Sequence, residues 1–110
     1  MNLDRPDREP LLRQARQIAQ DAPAAVLKQA AAALAILRQQ GPEALRVVLA
    51  EAVPYHVEAS ARHWAEFRRR AGPAILAQLD REPAAAAYLL TWLKRLAVIQ
   101  EARERERRAR

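Results

Sequence analysis

The sequence predicts an all-α fold, a single compact bundle of about six helices over residues 1–110 that ends in a long C-terminal helix. Three observations carry this. Of the 110 residues, 26 are Ala and 14 are Leu, so the 51% hydrophobic content is mostly small and helix-favouring. Seven Pro and two Gly divide the chain into blocks, and within each block apolar residues recur at helical spacing. β-Branched and aromatic residues are sparse, which argues against a sandwich or barrel. A core built largely of Ala requires close helix approach, because Ala cannot fill wide gaps.

Each helix follows from local signals. Asp7 or Glu9 caps a first helix, with Pro10 in its opening turn and Leu11, Ala15, Ile18 and Ala19 on one face. Asp21 caps a second, with Pro23 in its first turn, where the missing N–H costs little. Its buried stripe is Val26, Ala30, Ala33, Leu34 and Leu37, and Gly41 is its C′ residue. Pro42-Glu43 opens a third helix with Leu45, Val48, Leu49 and Ala52 on its stripe, ended or kinked by Pro54. A fourth runs from about Tyr55 to Arg70, with Val57, Ala61, Trp64 and Ala65 toward the core. Gly72-Pro73 breaks the chain before a short helix holding Ile75, Leu76 and Leu79. Asp80 caps the last helix, with Pro83 in its first turn. That helix buries Ala85, Leu89, Trp92, Leu93, Leu96 and Ile99 or Gln100. Residues 101–110 alternate Glu and Arg with almost nothing to bury. They read as a charged helical end or tail that faces solvent.

The composition excludes several function classes. No uncharged apolar run approaches the ~18 residues of a membrane span. Met1 to Pro6 is charged and lacks an apolar core, so no secretory leader is expected. Cysteine is absent, which removes disulfides and thiolate chemistry and fits a cytoplasmic location. Ser60 and Thr91 are the only hydroxyl nucleophile candidates besides Tyr, and neither has activating neighbours. Thr91, in mid-helix, is expected to bond back to a carbonyl. His56 and His63 are seven apart, about 10.5 Å along a helix axis, too far to share one metal ion. His63 and Glu66 share a face, but two ligands do not make a site. Glu51 and Glu58 fit a solvated face better than an acid–base pair. No enzyme activity, cofactor or metal is expected.

The charge is more informative. The net charge is +6, and it is uneven. Residues 1–60 hold seven Lys and Arg against seven Asp and Glu, whereas residues 61–110 hold twelve against six. Seventeen of the 19 basic residues are Arg, the side chain that grips phosphate bidentately. The candidates for an anionic partner are Arg62, Arg68, Arg69, Arg70, Lys94 and Arg95. Cations also suit a helix C-terminus, so the Arg68-Arg69-Arg70 run has a purely structural reading as well. Trp92 beside Lys94-Arg95 offers a stacking group near positive charge, although it lies on the expected core stripe. Phosphate contact without base readout, and with strong salt dependence, is the expected binding mode.

Two stretches carry a family resemblance. One is Leu37-Arg38-Gln39-Gln40-Gly41-Pro42-Glu43-Ala44-Leu45-Arg46-Val47-Val48-Leu49, a helix, a turn glycine and a second apolar helix. The other is Tyr88-Leu89-Leu90-Thr91-Trp92-Leu93-Lys94-Arg95-Leu96-Ala97. Together they resemble the small subunit of CRISPR effector complexes, most of all the type III-B (Cmr) small subunit. The resemblance implies a non-catalytic, all-helical subunit that stacks head to tail with copies of itself. It also implies contact with other effector subunits and with guide RNA and target RNA, through a basic groove that includes Lys94 and Arg95. The alternative is a helical adaptor whose Arg-rich half binds an acidic protein. A helix-turn-helix regulator ranks lower, because the helix after Gly41 is too apolar to enter a DNA groove.

Overall fold

A computed structural model describes residues 5–50 and 58–109. Ala52, Pro54, Tyr55, His56 and Val57, to which the sequence assigns helix-ending or core roles, lie outside them, as do Glu51 and the side chains of Asp7, Glu58 and Ser60. The elements are α1 (Arg5–Ala19), α2 (Ala24–Leu27), α3 (Gln29–Gln40), α4 (Pro42–Ala50), α5 (Glu58–Arg81) and α6 (Pro83–Ala109). No strand occurs among the described residues. Lys28, between α2 and α3, keeps right-handed helical dihedrals (φ −61, ψ −21). The two therefore form one rod, and the described residues make five rods rather than the expected six.

The lost break is at Gly72-Pro73. α5 passes through it and runs continuously for 24 residues. A proline normally drives the residue before it out of helical geometry by clashing with that residue's Cβ. Gly72 has no Cβ, so much of the clash is removed and the helix continues.

Gly41 behaves as expected. Its φ of +96° suits only glycine, and its N–H donates to the carbonyls of Ile36 at 3.2 Å and Leu37 at 3.1 Å. Pro42 then starts α4. The other starts differ from expectation. α1 begins at Arg5, so Asp7 and Glu9 lie inside it rather than capping it. Asp21 takes a left-handed turn conformation (φ +59°) and caps nothing. The Ala24 amide that begins α2 instead donates to Glu104 Oε2 at 2.9 Å, from a residue 80 positions away. Asp80 lies within α5 and pairs with Arg46 of α4 at 2.6 Å.

The core centres on α6, which packs against α1, α2, α3 and α5, while α4 lies on α3 and α5. α6 buries Ala85, Ala86, Leu89, Leu90, Leu93 and Ala97. This stripe is wider than a two-helix contact needs and is turned away from the expected one. Trp92 and Leu96 are half-buried, and Ile99 is 46% exposed. The rod α2–α3 buries all five expected residues and Ala24, Leu27 and Ile36 besides. On α5, Trp64 is buried as expected, but Ala65 faces solvent. Phe67 and Ala71 take the inward positions, with Phe67 stacked on Trp64 at 5.7 Å between ring centroids. No buried polar or charged residue interrupts this core among the described residues.

Candidate anion-binding surface

The predicted basic residues fall into two groups. Arg62, Arg68, Arg69 and Arg70 lie on α5, and Lys94 and Arg95 on α6. A single residue, Glu82, joins these antiparallel helices. Arg69–Arg70 and Lys94–Arg95 are therefore about equally far from the turn, roughly 18–20 Å at 1.5 Å per residue. They share a level of the bundle. α5 and α6 pack face to face, however, so their solvent-facing side chains diverge.

The α5 group is largely paired. Glu66 sits three residues before Arg69 and four before Arg70, the spacing at which helical side chains meet. Arg69 Nε donates to Glu66 Oε2 at 3.0 Å, and its Nη2 pairs with Oε1. Arg70 Nε donates to the same Oε1 at 2.8 Å, and its Nη1 reaches the Gln20 carbonyl at 3.4 Å. Hydrogen bonds from Arg69 and then Arg70 hold the Glu66 carboxyl down to about 2, against the opposing effect of desolvation. The same contact raises the Arg69 guanidinium above its ordinary value. Arg68 is half-buried and Arg62 is exposed. His63 is half-buried, and the Glu66 carboxylate beside it is engaged by the arginines.

The α6 group is different. Lys94 and Arg95 are exposed, and no carboxylate pairs with either among the described residues. The Arg95 guanidinium lies over the half-buried Trp92 ring, 5.1 Å from its centroid. Such a contact at an exposed site is worth about 0.5–1 kcal/mol and fixes the guanidinium while leaving its edge N–H groups free to donate. One turn earlier Arg8 of α1 lies 5.8 Å from the Tyr88 centroid. Thr91 Oγ1, between these rings in sequence, donates back to the Ala87 carbonyl at 2.8 Å.

The charged end of α6 is helical to Ala109 and is more than a solvent-facing tail. Lys28 Nζ pairs with Glu101 Oε2 at 2.9 Å, and Arg105 pairs with Glu101 Oε1 at 3.0 Å. These contacts, Lys28 first, lower the Glu101 carboxyl below its usual range. Glu104 caps α2 and also accepts from Gln100 Nε2 at 3.2 Å. Of the glutamates at this end of α6, Glu101 reaches Lys28 as well as Arg105, and Glu104 reaches the amide that begins α2.

This leaves arginines that sequence reasoning did not select. An open groove of about 980 Å³ runs between the C-terminal half of α1 and the C-terminal part of α6. Arg16, Arg103 and Arg107 line it. All three are exposed, and none pairs with a carboxylate among the described residues. The available signals were weak. No Asp or Glu occurs from Pro10 to Gln20, and Arg103 and Arg107 are four apart on one helix face.

Among the described residues, no three His, Cys, Asp or Glu side chains stand together as metal ligands, and no helix is long and apolar enough to cross a membrane. No protein-family model, curated protein or solved structure matches this chain.

Proposed function

We propose that this chain is a non-catalytic helical subunit that holds the backbone of a single-stranded nucleic acid against a basic face. The observation that carries the reading is Arg95, stacked on Trp92 and unpaired beside an exposed Lys94. A guanidinium fixed by an aromatic ring, with no carboxylate to satisfy it, is poised to donate to a phosphate. In the specific form implied by the sequence resemblance, the subunit belongs to a type III CRISPR ribonucleoprotein. There it stacks with its own copies beside guide and target RNA.

A helical adaptor remains the second reading, and two observations favour it. Glu66 already satisfies Arg69 and Arg70, and Val98 and Ile99 stand exposed at 68% and 46% just beyond Arg95. Apolar groups next to cations suit a protein partner better than a phosphate backbone does.

The deciding experiment recovers the tagged chain from its host under mild conditions and sequences the bound RNA. The proposal expects short RNAs with a shared 5′ segment followed by varied sequence, lost from the double variant Lys94→Glu, Arg95→Glu. Stable protein partners recovered without RNA would favour the adaptor and refute the nucleic-acid reading.

A further inference from the structure

We propose that the α1–α6 groove is a second nucleic-acid site, which seats a nucleotide of a single strand with its phosphates on Arg16, Arg103 and Arg107. The inference rests on the nucleic-acid reading above but assigns different residues. Arg103 and Arg107 are one helical turn apart, about 6 Å along α6, and Arg16 faces them from α1 across the groove. A cation near a helix end is favourable in its own right. That accounts for Arg16 and Arg107 singly, but not for three guanidiniums opening onto one groove.

The rest of the lining selects the ligand class. Leu96 gives the groove an apolar patch, and Gln17 and Gln20 supply amide groups from α1. Glu104 receives the Ala24 amide and Gln100 on Oε2 alone and keeps its charge at the groove wall. Asp21 remains as an exposed acceptor. A nucleotide offers a counterpart for each of these: phosphate for arginine, a base or sugar face for leucine, and N–H or O–H donors for Asp21. Asp21 repels carboxylates and phosphates alike, so what favours a nucleotide over an acidic peptide is the base or sugar face that Leu96 can seat. The volume is at the upper end of the roughly 300–1,000 Å³ of small-ligand pockets, and the open form suits a strand that passes through. The site also touches the α5 cluster, because the Gln20 carbonyl at its edge accepts from Arg70.

The test is fluorescence anisotropy of the full chain with a labelled 15-nucleotide oligouridylate between 50 and 300 mM salt. The variant Arg16→Gln, Arg103→Gln, Arg107→Gln removes only exposed side chains, and circular dichroism confirms that it remains folded. Affinity is expected to fall at least tenfold at 0.1 M salt. The slope of log K against log salt should flatten by about 2, since each lost phosphate contact on a single strand contributes about 0.7. Lys94→Gln, Arg95→Gln serves as the comparison. If the wild type binds, the groove variant keeps its affinity and slope, and the comparison variant loses binding, the groove inference is wrong and the broader reading stands. If the wild type binds no oligonucleotide, both fail. Uridine monophosphate competing as well as the oligomer would overturn the strand in favour of a free nucleotide. Polyglutamate that binds the wild type with equal strength and not the groove variant would overturn the nucleotide altogether.

Discussion

The three consecutive arginines of α5 and the three scattered arginines of the α1–α6 groove make opposite use of the same side chain. Arg68-Arg69-Arg70 is the densest positive run inside the helical body, yet Glu66 holds two of the three. Arg16, Arg103 and Arg107 come from distant parts of the chain and open onto one groove without a carboxylate partner among the described residues. Helix geometry explains the contrast. Consecutive residues point about 100° apart, so a run of three cannot form one face, while a glutamate three or four residues earlier reaches two of them. In the α6 extension Glu101 and Glu104 bond to Lys28 and to the α2 amide, and Arg103 and Arg107 have no carboxylate partner among the described residues. The number of charges in a window is therefore a poor guide to the number available for a ligand.

Both regions are held by one hydrophobic core. Phe67→Ala tests this most severely. Phe67 is fully buried, stacks on Trp64 and immediately precedes the α5 arginines. Its loss should cost about 3–5 kcal/mol in urea denaturation. A cost below about 1 kcal/mol, which is far under that range for a buried Phe, would mean that α5 is not anchored there. Pro73→Ala acts in the other direction. It restores an amide that can donate to the Arg69 carbonyl, four residues earlier on the exposed side of α5. A gain of about 2 kcal/mol is expected, offset in part by a more flexible unfolded chain. Destabilisation instead would mean that the helix at Gly72-Pro73 is not the continuous one described.

A smaller effect sharpens the other half of the comparison. Glu104→Ala removes the cap from the Ala24 amide and the tie that holds the end of α6 on α2. Loss of a helix cap costs about 1 kcal/mol. Hydrogen exchange should quicken at Ala24 and along residues 101–109 together. Faster exchange at Ala24 alone would separate capping from docking and leave the groove wall independent of Glu104.

What the sequence made legible was set by how local each cause is. The stripe Val26, Ala30, Ala33, Leu34 and Leu37 was readable because one rod buries one face. Gly41 was readable because only glycine readily takes its φ. The caps at Asp21 and Asp80 were not, because Glu104 and Arg46, both distant in sequence, decide where those ends bond. Of the alternatives Ile99 and Gln100, Gln100 is the half-buried one and Ile99 is exposed, because four neighbouring elements, rather than one, define the buried arc of α6. The exposed state of Lys94 and Arg95 and the position of the α5 run followed from helical phase. The pairing of that run was visible in principle, since Glu66 stands at the right spacing. The groove was not, because nothing local links Arg16 to Arg103.

Glu66→Gln changes stability least and bears most directly on the contrast, because it should make the α5 cluster behave like the groove. The Glu66 carboxyl is held at about 2 in the fold against an ordinary 4.5. A carboxyl lowered in this way stabilises the folded state above about pH 4.5, and that contribution is lost as pH falls toward 2. The wild type should therefore lose part of its urea resistance across this window, and Glu66→Gln should lose less. Glu101, lowered by Lys28, titrates in the same direction in both proteins and cancels in the comparison. At neutral pH the wild type should be the more stable by what it loses on acidification, a modest amount because solvent screens the pair. Oligonucleotide binding should separate them. Arg69 and Arg70, released from Glu66, would each be free to meet a phosphate, and the salt slope should steepen by up to about 1.4. An unchanged slope would place the α5 arginines off the path of the strand. The pairing with Glu66 would then be their whole role, and the groove and Arg95 would carry the anionic partner without them.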